Sequence, residues 1–175
     1  MGGYSVPISE IAGGVVNSAA SLSTRCRFRF IVCSDLIDKR HLTVVEHPDL
    51  PNGYAALSYP WNRLKPCAGD ALNESAFFRV YLEGGQLSDG MSIAVLRTAC
   101  LAARQHQANL LWIDQICILQ TDADDEGWQI ERMFELFRQC GTRAFTGLIV
   151  STTRSRATIP NIEMLCKMVV SSIAS

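Results

Sequence analysis

The chain has 175 residues, 48% of them hydrophobic, and a formal net charge of -1. That is one domain's length with enough apolar content for a buried core, and the near-neutral balance excludes the electrostatic footprint of a nucleic-acid or anionic-membrane binder. Its seven cysteines are odd in number and never spaced as Cys-x-x-Cys, which speaks against a zinc site or a disulfide framework and for a reducing, cytoplasmic compartment.

Residues 1–24 are rich in Gly, Ser and Ala, carry Glu10 and contain no Lys or Arg. They read as a flexible lead-in, too short in apolar run for a membrane span and lacking the basic start of a signal peptide. From Arg25 the pattern changes. Arg27-Phe28-Arg29-Phe30-Ile31-Val32 and His41-Leu42-Thr43-Val44-Val45-Glu46 are both β-rich, and the spacing predicts an N-terminal β-hairpin at a sheet edge. The turn formers His47 to Gly53 close it.

Tyr54-Ala55-Ala56-Leu57-Ser58-Tyr59 reads as a buried strand that Pro60 ends, because proline cannot donate to a ladder. Residues 65–90 mix Gly, Pro and charge around one short apolar piece, Phe77 to Leu82, and suggest an irregular insertion. Met91 to Gln107 predicts a helix, with Ile93, Leu96, Cys100 and Ala103 recurring at helical spacing.

The apolar run Leu110-Leu111-Trp112-Ile113 has no alternation and follows that helix, as a parallel strand covered on both faces does. Asp114 then stands at the strand's carboxyl end, where open α/β sheets bind ligands; it either faces one or caps the following turn. Asp122, Asp124, Asp125 and Glu126 put negative charge at the start of a helix reaching Cys140. Ile130, Phe134 and Phe137 are its expected core stripe, with Glu131, Glu135 and Arg138 on the wet face. Gly141 is a natural stop and Phe145 to Val150 the next strand. The alternation predicts an α/β fold with a mostly parallel sheet flanked by helices, spanning residues 25–150, followed by a divergent tail over 151–175.

Three other motif readings fail on spacing. Asp122-x-Asp124-x-Glu126-Gly127 imitates the first half of a calcium loop, but Met133 holds the twelfth position where a bidentate Glu is required, so no metal is expected. Gly84-Gly85 and Gly90 fit neither a dinucleotide nor a P-loop spacing. A Cys117 nucleophile would need a positioned His, and none of His41, His47 and His106 is locally linked to it; a buried, inert thiol is the simpler reading. Trp112 and Trp128 read as core or lid aromatics whose indole nitrogens need partners.

Tyr54-Ala-Ala-Leu-Ser-Tyr-Pro-Trp61 resembles the opening motif of the fungal heterokaryon incompatibility (HET) domain, Y-x-A-L-S-Y-x-W-G. Leu111-Trp-Ile-Asp-Gln-Ile-Cys-Ile-Leu-Gln120 is similar to the second, L-W-I-D-x-x-C-I-x-Q, and Gln129-Ile130, Met133 and Phe137 resemble the helix Q-I-x-x-M-x-x-I-Y. Asn62 stands where the family has glycine, and nothing after Ser151 matches the family's Arg-x-Trp-x-x-Gln-Glu segment, so the chain reads as truncated or differently spliced.

The resemblance implies a TIR-like, flavodoxin-like domain that signals programmed cell death in non-self recognition between fungal hyphae, through protein partners or self-association. It also implies a nucleotide pocket with NAD as ligand or substrate, its motif residues being Ser58, Tyr59, Trp61, Asp114, Cys117 and Gln120. With the Gln-Glu segment missing, the carboxylates left for an NAD-cleaving hydrolase are Asp114, Glu131 and Glu163, and catalysis by this chain alone is not expected.

Overall fold

The computed structural model describes residues 2–16, 23–58, 77–88 and 90–140 and the backbone of 144–146. The core is a six-stranded sheet built from β1 (Gly3–Pro7), β3 (Phe28–Val32), β4 (His41–His47), β5 (Tyr54–Ser58), β8 (Leu110–Ile113) and β9 (Ala144–Thr146) in the order β1-β4-β3-β8-β5-β9. A smaller sheet of β2 (Val15–Val16), β6 (Phe77–Val80) and β7 (Met91–Ser92) stands beside it. It takes up the apolar piece at Phe77 that the sequence left within an irregular insertion.

The large sheet is mixed rather than mostly parallel. β8, β5 and β9 run parallel, whereas β1, β4 and β3 pair antiparallel with one another and β3 pairs antiparallel with β8. The predicted hairpin β3–β4 is present, but it lies inside the sheet. Phe28, Arg29, Phe30 and Ile31 are all buried, so β3 needs cover on both edges and both faces, and its free edge docks on β8.

The outer edge is formed by β1, within the segment expected as a loose lead-in. Gly3 permits this, with a φ of 142° and a position where a Cβ would strike the Val44 carbonyl. A Gly-rich stretch therefore becomes a strand because β4 offers it a ladder, an effect of pairing that local composition does not carry. Four residues of α1 (Ile8–Ile11) follow it.

Among the helices, α2 (Ile93–Gln105) matches its predicted stripe: Leu96, Ala99, Cys100 and Ala103 are buried, and the Ser92 hydroxyl caps it by accepting from the Val95 N–H at 3.5 Å. The one-turn α3 (Asp114–Cys117) follows β8, and α4 (Ala123–Gln139) follows that, capped by Asp122, whose carboxylate accepts from the Asp125 N–H at 3.1 Å.

The face that α4 turns inward is not the predicted one. Ile130 and Phe134 are 56% and 69% exposed, while Asp125, Gln129 and Leu136 are buried and Trp128, Met133 and Phe137 half-buried. Of the expected stripe only Phe137 packs inward, edge-on to Trp112 at 5.7 Å. Polar anchors set this rotation: Asp125 reaches Arg29, and the Gln129 side-chain amide donates to the Arg27 carbonyl at 2.7 Å. Gly141, residues 147–150 of the last predicted strand, and the tail over 151–175 lie outside the described residues.

Candidate functional site

Strands β5 and β8 are parallel neighbours in the register Tyr54↔Leu110 to Leu57↔Ile113. Ser58 and Asp114 each come one residue later, so the two sequence motifs end side by side on one carboxyl edge of the sheet. β9 borders the same place, pairing Thr146 with Ser58. The Ser58 side chain, Tyr59, Trp61, Asn62 and Glu163 lie outside the described residues.

Beyond Ile113 the chain folds back at once into α3, and the Cys117 and Gln120 side chains hold that turn. The Asp114 carboxylate accepts from the Gln115 N–H at 2.7 Å, and the Asp114 carbonyl accepts from the Gln120 side-chain amide at 2.9 Å and the Ile118 N–H at 3.1 Å. Cys117 is fully buried; its sulfur accepts from the Ile113 N–H at 3.4 Å and lies 3.9 Å from the Leu111 carbonyl. Burial pushes this thiol up to about 12, so at neutral pH it is a protonated packing group rather than a nucleophile.

A buried ion-pair network beneath this turn was not foreseen from the sequence. The Arg29 side chain is 1% exposed and that of Asp125 0%. Arg29 donates to both oxygens of Asp125 at 2.8 and 2.9 Å, to the Cys117 carbonyl at 3.1 Å and to the Thr24 carbonyl at 2.7 Å. Asp125 also accepts from the Cys26 N–H at 2.8 Å and the Leu119 N–H at 3.0 Å. Glu46 completes the cluster, 3.5 Å from the Arg29 Nε and accepting from the Thr24 N–H at 2.6 Å. The bidentate pair and the further acceptors of the two terminal nitrogens are the arrangement under which a buried charge is tolerated. The Arg29 Nε has the Glu46 carboxylate beside it but no hydrogen bond among the described residues.

The network ties β3, β4, α3 and α4 into one unit. Two features of the sequence point to it: Arg29 sits between Phe28 and Phe30 in a strand otherwise destined for the core, and Asp125 lies three residues after the helix cap. Neither identifies the other as partner, since they are 96 residues apart.

Glu131, the second candidate carboxylate, is 78% exposed on the outer side of α4 and pairs with Arg132 at 3.5 Å. It lacks the enclosure of a positioned acid. Of the two indoles, Trp128 contacts Phe28 at 4.9 Å and has Arg132 over its ring at 4.3 Å, whereas the buried Trp112 Nε1 has no hydrogen-bond partner among the described residues. A groove of about 680 Å³, lined by Lys39, Arg40, His41 and Arg97 over Pro7 and Ile8, opens by the start of β4, the end of the sheet opposite Asp114.

The geometry defines an α/β domain in which two adjacent parallel strands deliver short, chemistry-bearing motifs to a common edge, with the second motif locked into its own turn. The family model of the heterokaryon incompatibility protein (HET) matches residues 54–164, beginning at the first residue of β5 and taking in both motifs. The match covers more than half of the chain, which therefore belongs to this family. No curated protein and no solved structure matches the chain. β1, β3 and β4, half of the large sheet and the source of Arg29 and Glu46, precede the matched residues.

Proposed function

We propose that this chain works as a partner-binding module that signals cell death in fungal non-self recognition, and that it does not cleave NAD by itself. The observation that carries this reading is the closed turn after β8. Cys117 is buried and protonated, and the Gln120 amide is bonded to the Asp114 carbonyl, so two of the three motif side chains there serve the fold rather than a substrate. The five described cysteines are free thiols, in keeping with work in the reducing cytosol.

Releasing nicotinamide from NAD passes through an oxocarbenium-like state, which a carboxylate held against the ribose stabilises. A TIR-like NAD hydrolase is the second reading, and what favours it is the placement of Asp114 beside Ser58 at the carboxyl edge of parallel strands. The test is incubation of the purified chain with NAD and measurement of free nicotinamide. No turnover above buffer is expected; turnover that Asp114→Asn abolishes would replace the first reading by the second.

A further inference from the structure

The outward side of α4 has a pattern that the described residues of one chain do not cover. Glu126, Ile130, Phe134 and Arg138 stand four residues apart and form a single slanting ridge on a 17-residue helix. Ile130 and Phe134, at its middle, are among the exposed large hydrophobics. Arg138 is exposed and Glu126 half-buried, and neither side chain has an ion-pair partner among the described residues. Beside the ridge, Gly127 occupies a helix interior where an added Cβ would meet nothing within 4 Å, so packing among the described residues does not call for a glycine there.

This order of charges is self-complementary. If two copies of α4 cross antiparallel about a two-fold axis that passes through the ridge midway between Ile130 and Phe134, position 126 of one copy faces position 138 of the other, and 130 faces 134. Glu126 then meets Arg138 at both ends, and Ile130 packs on Phe134 twice in the middle. In the parallel sense, like charges would meet at both ends. Packing of i±4 ridges at a crossing of about 50° is the commonest helix pairing, and a two-fold contact uses one patch twice.

We propose that the Glu126–Ile130–Phe134–Arg138 ridge is a self-association surface through which α4 pairs antiparallel with α4 of a second copy of this chain. Aromatic and aliphatic side chains fill the centre and opposite charges set direction at the rim, the usual division of labour in an interface. The contact is small, so the dimer is weak and concentration-dependent. The inference names a partner for the module proposed above but does not depend on it, since an NAD-cleaving domain could pair in the same way.

Sedimentation of the full chain and of two charge variants tests it. The wild type should show a monomer–dimer equilibrium in the range of about 10–100 µM. E126R and R138E alone each place like charges at both ends, and each should weaken self-association by about tenfold. An equimolar mixture of the two restores opposite charges at both ends and should dimerise like the wild type. Within one chain the two positions lie about 18 Å apart along the helix, so recovery on mixing can come only from contact between chains. Far-UV circular dichroism checks that both variants keep their helices. A wild type that stays monomeric throughout, single variants that associate normally, or a folded mixture that fails to recover would each overturn the proposal. Nicotinamide release, measured separately, reports on the functional reading alone.

Discussion

The two faces of α4 each depart in part from the usual division of a surface helix: beside Leu136 and the half-buried Trp128, Met133 and Phe137 the inward side buries polar groups, and the outward side exposes two large apolar ones. Its inward face carries Asp125 and Gln129, bonded to Arg29 and to the Arg27 carbonyl, while Ile130 and Phe134 face outward. The contrast teaches that hydrophobic periodicity finds which residues share a face, but a buried, bonded charge can decide which face turns in. Breaking the buried Asp125–Arg29 pair would cost about 3–5 kcal/mol, a penalty of the same size as leaving two apolar side chains exposed, each worth about 1.5–3 kcal/mol when buried.

Single substitutions on the two faces should therefore behave in opposite ways. Asp125→Ala leaves Arg29 buried without its bidentate acceptor and frees the Cys26 and Leu119 N–H groups, so urea unfolding should show a loss of about 3–5 kcal/mol. A loss under about 1 kcal/mol would mean that water reaches the pair and that it does not orient the helix. Phe134→Ala, by contrast, should change stability by no more than about 0.5 kcal/mol in dilute solution, because the ring is exposed. A loss of about 3 kcal/mol or more, as for a core phenylalanine, would show that Phe134 is covered within the chain, and the comparison would collapse.

The elements that were legible in the sequence share one property: their local pattern and their tertiary role agree. Leu110 to Ile113 and Tyr54 to Ser58 read as buried strands and are parallel neighbours, and Leu96, Cys100 and Ala103 read as a stripe and face the core. The elements that were missed depend on distant partners. β1 exists because Gly3 can approach Val44, the small sheet because Phe77 and Phe78 find Ser92 and Met91, and the rotation of α4 because Asp125 finds Arg29.

The site divides in the same way. Placing Ser58 and Asp114 at one edge follows from reading two parallel strands that end in motifs. What those motifs do locally was not legible, because Gln120 bonds a backbone carbonyl that carries no sequence signal. The inert, buried character of Cys117 was legible from the absence of a local histidine, and the raised thiol pKa agrees with it.

The central claim is that the turn after β8 is a closed scaffold, held from below by Arg29 and Asp125, and labelling of Cys117 tests it most directly. The native chain is exposed to a thiol-specific alkylating reagent at about pH 8, near the ordinary thiol pKa, and each cysteine is followed by peptide mapping. Cys26, half-buried, serves as the internal reference. The account predicts that Cys26 is modified promptly while Cys117 reacts only at the rate of unfolding, and that Asp125→Ala, by freeing Leu119, brings Cys117 into reach. Modification of Cys117 as fast as Cys26 in the native chain would contradict it, because a reactive thiol there means an open turn with side chains available for chemistry.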